Sequence, residues 1–306
     1  MLHYYLGELD GASSTWGSQK GGTGGVSEAL ASAARSFGAE IRCNTPVEKV
    51  IIKNGQAIGV ALKNGDEIAG KIIVSGCDPK VTFRNLVDEK ELPSDLVNAI
   101  DKFKYRGSSG KVNLALDGLP NFPAMQDKAL MRAMHEIFPS TRYLERAYDD
   151  AKYGSFSKRP LLGCIIPSTV DPTMAPPGKH VMSIFVQYAS YDMPVHGDRD
   201  RQRTAFGAAV IDTLAEFAPN IKDLILHKQV ITPWDIEQTL GITEGNISHG
   251  ELMLDQLFFM RPTPGWAKYR TPIRNYYQCG SGTHPGGGIT GAPGRMAASE
   301  ILKDGN

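Results

Sequence analysis

The run CGSGTHPGGGITGAPG, residues 279 to 294, is the stretch of this chain best suited to chemistry, since seven of its sixteen residues are glycine. Glycine at such density lets a backbone approach a ligand closely and adopt positive φ, both of which a Cβ opposes. A strand–glycine loop–helix junction also points backbone N–H groups and a helix N-terminus at an anion or the polar rim of a ligand. Here Asn275–Cys279 has the character of a short buried strand and Arg295–Leu302 that of a helix, so the loop is the leading cofactor contact. A second cluster, Gly21-Gly22-Thr23-Gly24-Gly25, fits a substrate- or cofactor-facing loop, and it also fits a plain lead-in to a helix.

Other chemistries find little support. No group of His, Asp, Glu or Cys has metal-ligand spacing, so no metal site is expected. No GxSxG or comparable nucleophile element occurs, which argues against a hydrolase. His284 lies inside the glycine loop, where it either faces a reactive centre or caps a turn. His249 is better suited to a structural hydrogen bond than to orienting a substrate. Tyr276, Tyr277, Trp266, Phe258 and Phe259 are candidates for an apolar tunnel, with ordinary core the default. Asp255, Arg261 and Glu251 form a candidate charge network, for which structural or solvated pairing is the default.

The elements that must position these residues follow from pattern. Val26, Ala29, Leu30, Ala33, Ala34 and Phe37 have helical spacing, with Gly38 as a stop, and a strand is expected over Ala39–Cys43. Residues 47–75 form a meander of strands turned by Asn54-Gly55 and Asn64-Gly65-Asp66. Ile72-Ile73-Val74 running into Ser75-Gly76-Cys77-Asp78-Pro79 suits a buried parallel strand that opens onto a ligand, paired in one sheet with Tyr276–Cys279. Helical segments broken near Leu92-Pro93 follow over 80–103, and strands of a different sheet over 107–118 and 180–189. Residues 119–179 are mixed. An amphipathic helix at 199–217, with Phe206, Val210, Ile211, Leu214 and Phe217 on one side, precedes a strand near 225–232 and a helix near 234–240.

Bulk properties set the frame. The 306 residues are enough for one large domain or two ordinary ones. Lys plus Arg and Asp plus Glu are each 33, so nothing points to nucleic acid as a partner. Cys43, Cys77, Cys164 and Cys279 form no CxxC pattern and sit in or beside apolar runs, as small buried side chains do, which fits a reducing, cytoplasmic setting. No apolar run reaches the ~18 residues of a membrane span, and the N-terminus has no secretory pattern.

Taken together, GGTGGVSEALASAARSFGAEIRCNTPVEKV (21–50), IIVSGCDP (72–79), GNISHGELMLDQLFFMRPTPGWAKYRTPI (245–273) and NYYQCGSGTHPGGGITGAPGRMAASEIL (275–302) carry a family resemblance. The chain resembles the phytoene desaturase-like branch of the FAD-dependent amine oxidase and desaturase superfamily, including its pyridine nucleotide-disulfide oxidoreductase domain 2-like members. The resemblance implies an α/β (α+β) fold. A partial glutathione reductase-like FAD-binding domain, 1–80 with 272–306, would join a substrate domain, 81–271, built on a mixed or antiparallel sheet with helices. It implies FAD as cofactor, contacted by Gly280, Gly282, Thr283, Gly287, Gly288 and Ile289. The backbone of Val47 would meet the adenine, and the turn at Cys77 and Asp78 the adenosine or pyrophosphate part. No side chain emerges as a catalytic base.

The family's opening strand, GxGxxG turn and helix have no counterpart here, so the resemblance is to the C-terminal part of such an enzyme. The implied function is FAD-dependent dehydrogenation or isomerisation of an apolar, isoprenoid-like substrate, with weak FAD binding and no turnover by this chain alone. The implied partners are that apolar small molecule, peripheral contact with a membrane surface, and a second copy or a missing N-terminal segment. Two alternatives stand beside it: a non-catalytic or split-subunit module that pairs with another chain or itself, and an amine oxidase-like flavoenzyme.

Overall fold

The structure is a computed structural model that describes residues 8–9, 12–13, 17–125, 127–193 and 198–305. In chain order the principal elements begin with β1 (Glu8–Leu9), β2 (Ala12–Ser13), α1 (Gly24–Ser36), β3 (Val47–Lys53), β4 (Gln56–Leu62), β5 (Glu67–Ala69) and β6 (Ile73–Ser75). Then come α2 (Ser94–Lys102), β7 (Ser109–Leu116), β8 (His135–Ile137), α3 (Thr141–Lys152), β9 (Phe156–Ile165) and β10 (His180–Ala189). The rest are α4 (Arg199–Ala215), α5 (Ile221–Leu224), β11 (Ile225–Ile231), α6 (Pro233–Leu240), β12 (Tyr276–Gln278) and α7 (Ala292–Asp304). They form a mixed α/β fold in two compact units, 1–41 with 108–235 and 42–107 with 236–306.

The first unit is organised by a five-stranded antiparallel sheet in the order β11-β7-β10-β9-β8. Its register sets Val112 against Ile184 and Ile184 against Cys164, so one face collects apolar side chains at every second residue. Phe206, Val210 and Leu214 of α4 belong to the same fully buried cluster as Val112, Leu114, Leu116, Leu162 and Ile184. The helix expected over 199–217 and the strands expected near 107–118, 180–189 and 225–232 are all present.

Helix α1 and the segment that follows it behave differently from that sheet. Helix α1 forms where the 3.6-residue pattern places it and stops as expected, with Gly38 at φ 87° donating to the Arg35 carbonyl at 2.9 Å. None of its residues is buried, and Leu30 is 66% exposed. Residues 39–43 are not a strand, against the expectation from their alternation. All five are exposed, and none belongs to a strand ladder among the described residues. Alternation describes a face, but a strand also needs a neighbour to take its backbone hydrogen bonds.

The second unit begins with the antiparallel meander β3-β4-β5. Asn54 at φ 54° and Gly55 at φ 70° make the two-residue turn that the Asn-Gly pair predicts. A π-helical turn, Val81–Asn85, and α2 follow, separated at Leu92-Pro93. Phe83, Leu96, Val97 and Ile100 close the core with Val50, Ala57, Ile273 and Tyr276. The meander is stitched to the approach of β12, since Ala57 N donates to the Arg274 carbonyl (2.9 Å) and Arg274 N to the Gly55 carbonyl (3.0 Å).

Candidate functional site

The glycine loop is positioned by a parallel strand pair. β6 and β12 run side by side with Ile73 opposite Tyr276 and Ser75 opposite Gln278, the pairing expected from their apolar character. Cys279 N extends the ladder by donating to the Ser75 carbonyl at 2.8 Å. Both strands therefore end at the same edge, which brings the turn 76–79 against the start of the glycine loop. The carboxyl ends of parallel strands are the usual place for a ligand in such sheets. Behind the strands, the Tyr276 hydroxyl donates to the Thr82 carbonyl at 3.0 Å and the Tyr277 hydroxyl to Asp304 of α7 at 2.8 Å. These two tyrosines are core, as their default reading has it.

The inner arc of the loop, 279–283, is locked. Gly280 has φ 85°, and a Cβ there would lie 2.8 Å from the Gly76 carbonyl oxygen. At Gly282 a Cβ would lie 2.7 Å from Cδ of Pro79. These two glycines are spent on the approach of one loop to the other. Thr283 is fully buried, and its hydroxyl donates to the Gly280 carbonyl at 2.8 Å, while its own carbonyl accepts from Gly286 N at 2.7 Å. Asp78 is also buried, with one carboxylate oxygen accepting from Val81 N (3.0 Å) and the other from Thr243 N (2.9 Å). Its charge therefore caps the π-helical turn and ties down residue 243, consistent with a carboxylate at a helix N-terminus. Cys77 is exposed, and burial around its sulfur pushes the thiol above its ordinary value, against a lowering hydrogen bond to Ser75.

The outer arc, 286–291, opens along its length: Gly286 is buried and a Cβ at Gly287 would lie 3.2 Å from Oγ of Ser281, whereas 289–291 are exposed. A Cβ at Gly286 or Gly291 would meet nothing within 4 Å, and Gly288 has φ 130°. Ile289 stands 83% exposed with φ 57°, an unusual place for a β-branched side chain. Among the described residues, no protein group accepts the N–H of Gly287, Gly288 or Ile289. Backbone donors that fold no further are what a polar ligand edge can use. His284 joins the two arcs. Its carbonyl accepts from the Tyr269 hydroxyl at 2.8 Å, its ring lies 6.5 Å from that of Phe258, and its Nδ1 is buried without a partner among the described residues.

The structure thus gathers Cys77, Asp78, Gly280, Gly282 and Thr283 at one junction and runs Gly287, Gly288 and Ile289 out from it. Val47 sits elsewhere in the unit, opening β3 opposite Leu62. In the other unit, Gly21 and Gly22 form a turn, Gly21 N donates to Asp171 at 2.6 Å, and Gly24 begins α1. The candidate aromatics divide: Phe258 and Phe259 are exposed, whereas Trp266 packs on the core.

Arg261 is the residue whose part the sequence concealed. It is fully buried, and its guanidinium donates to five backbone carbonyls: Ser281 (2.8 Å), Glu251 (3.2 Å), Gln256 (3.1 Å), Gly250 (3.2 Å) and Ser248. The Phe103 ring lies 5.6 Å below the charge. Burial pulls its pKa down to about 10, with Tyr105 opposing. No carboxylate among the described residues pairs with it, so the candidate network with Asp255 and Glu251 gives way to structural pairing, the default. The Glu251 carboxylate goes instead to Arg106. His249, also buried at Nδ1, is held below its ordinary pKa chiefly by burial, with Asp78 opposing.

Comparison with known proteins bears on this geometry. Residues 3–302 match the family described as flavin containing amine oxidoreductase. Pyridine nucleotide-disulfide oxidoreductase domain-containing protein 2 of Rattus norvegicus is 38% identical over 313 residues, 99% of this chain and 54% of that protein. A phytoene desaturase (lycopene-forming) of Paracoccus sp. is 25% identical over 293 residues, 93% of this chain and 55% of its own length. Among solved structures, an oxidoreductase from Methanosarcina mazei shares the fold with a TM-score of 0.59 at 18% identity, over 93% of this chain and 55% of that one. The chain spans about half the length of the curated relatives it matches. With a match that runs through nearly every residue, and the glycine loop inside it, this chain belongs to the flavin containing amine oxidoreductase family.

Proposed function

We propose that the chain carries the C-terminal share of an FAD-dependent desaturase or dehydrogenase acting on an apolar, isoprenoid-like substrate. The observation that carries this is the outer arc: backbone donors at 287–289 that no described residue accepts, in a family that contains flavin. Those residues fit a flavin's polar edge. Gly287, Gly288 and Ile289 would hold it through backbone N–H groups, while Gly280, Gly282, Thr283 and Asp78 fix the arc from behind. Cys77 and the backbone of Val47 are the remaining proposed contacts. When bound, FAD supplies a two-electron acceptor for the C–H bond that is broken.

The chain's own part is to bind, orient and keep water away. Exposed Leu254, Phe258 and Phe259, on the segment that Phe258 brings to His284, offer apolar surface to a substrate without polar groups. Burial without charged partners suits such a substrate, whose placement rests on shape and area. The relatives are about twice as long as this chain, so weak FAD binding and no turnover are expected of it alone. Flavin fluorescence during FAD titration tests the reading. Weak, saturable quenching supports it; no saturable quenching contradicts the proposed contacts, and flavin retained at stoichiometry through purification contradicts the expected weakness.

A second reading, a module that completes its burial against another polypeptide or a second copy, draws on α1. Leu30 of its apolar stripe is 66% exposed and Phe37, just beyond its end, 91%. Light scattering over a range of concentrations separates the two readings, because a strictly monomeric chain counts against self-association.

A further inference from the structure

The loop 279–291 owes its shape to more than its glycines. Its inner arc is gripped on one side by the turn 76–79, as the close approaches at Gly280 and Gly282 show. On the other side one carbonyl, that of Ser281, accepts from Nε of Arg261 at 2.8 Å. The two terminal nitrogens of the same guanidinium donate to carbonyls of Ser248, Gly250, Glu251 and Gln256. The planar fork of arginine is what lets one side chain serve both directions, since its donors diverge in a fixed plane. Gln256 strengthens the second side, because its amide nitrogen donates to the Lys104 and Glu251 carbonyls and its amide oxygen accepts from Lys104 N. Gly250, at φ 129°, leaves no room for a Cβ beside Phe103, so the segment 248–256 is closely fitted around the charge.

A buried cation satisfied only by main-chain carbonyls is costly to keep, and burial of a carbonyl cluster without it would be costly too. Apolar packing alone would not call for that arrangement. We propose that Arg261 is a positioning residue of the cofactor-contact loop: it clasps Ser281 to the segment 248–256 and thereby holds the outer arc with its N–H groups turned outward. This rests on the reading of the outer arc as a flavin-contact surface. It adds the residue that sets the arc's shape without touching the ligand, and it makes 248–256 part of the same mechanical unit as 279–291.

Hydrogen exchange followed by mass spectrometry on the complete chain tests the clasp, using R261Q and R261K. R106Q is the control, since Arg106 binds the Glu251 carboxylate on the same segment. R261Q is expected to speed exchange roughly tenfold in peptides covering both 248–256 and 279–286, as loss of a charged hydrogen-bonding group implies. R106Q is expected to act on 248–256 alone, and the sheet strands β7 and β10 should not change in either variant. Unchanged exchange in 279–286 of R261Q, or an equal effect of R106Q there, would overturn the proposal. Should R261Q lose its fold, seen as faster exchange in β7 and β10, R261K carries the same comparison. FAD titration supplies a readout that general loosening would not move selectively: roughly tenfold weaker binding in R261Q, partial rescue in R261K and none lost in R106Q. Wild-type protein that binds no FAD would refute the flavin reading of the loop, while the exchange data would still decide the clasp.

Discussion

The two arcs of the glycine loop share a composition and differ in what their glycines do. In the inner arc, Gly280 and Gly282 exist because protein fills the space where a Cβ would stand, against Gly76 and Pro79. In the outer arc, a Cβ at Gly286 or Gly291 would meet no atom within 4 Å. Closed glycines report how a loop is built, and open ones leave space beside the backbone. A glycine-rich motif thus holds two kinds of position, those that protein fills and those that it leaves clear. Thr283 and Asp78 fall on the structural side of that division, since their polar atoms are taken up by Gly280, Val81 and Thr243.

Substitutions sharpen this contrast. The largest effect is expected of Gly280→Ala, which combines a left-handed backbone with a clash against main chain and should cost about 3 kcal/mol or more in urea unfolding. Gly286→Ala keeps the strain without the clash and should cost about 1 kcal/mol by the same measurement. Equal costs for the two would erase the distinction between the arcs. Next comes Thr283→Val, which leaves the Gly280 carbonyl without its hydroxyl donor and should lower stability by about 1–2 kcal/mol. Smallest is Ile289→Ser, within about 0.5 kcal/mol of the parent because the side chain is in solvent, as thermal unfolding would show.

A further contrast lies between the loop and the core of the other unit, where His135 is stacked on Phe122 at 5.4 Å with neither ring nitrogen partnered among the described residues. Burial holds its pKa below the ordinary value of 6.5. A histidine depressed in the folded state binds its proton more readily when unfolded. Its contribution is therefore intact above pH 6.5 and is lost as the pH falls from there through the folded value. His135→Leu should flatten the fall of stability between neutral and mildly acidic pH without loss at neutral pH, read from urea midpoints across that range. A slope as steep as that of the parent would show that other groups dominate.

Much of the scaffold was legible because its signals are local. Asn54-Gly55 between β-branched runs, the stop at Gly38 and the spacing of Phe206, Val210 and Leu214 each describe their own element. The pairing of β6 with β12 was legible too, since two short apolar runs that each end in a glycine turn suit one parallel sheet. Residues 39–43 were misread because their alternation carried no information about a partner strand. The partners of Arg261 were hidden for a related reason. Its neighbours in sequence suggested carboxylates, yet its acceptors are carbonyls set by the path of 248–256 and by Ser281. Nothing about residue type marks a carbonyl as a partner, so a cation held by main chain is invisible until the loops are placed. Asp78 shows the same limit, since nothing in its type announces that Val81 N and Thr243 N take up its carboxylate.

The central claim, that the outer arc is where a flavin meets this chain, is tested most directly by hydrogen exchange with and without saturating FAD. Bound FAD is expected to slow exchange at the amides of 287–289, with the inner arc already protected and unchanged. Protection that leaves 287–289 untouched would contradict it.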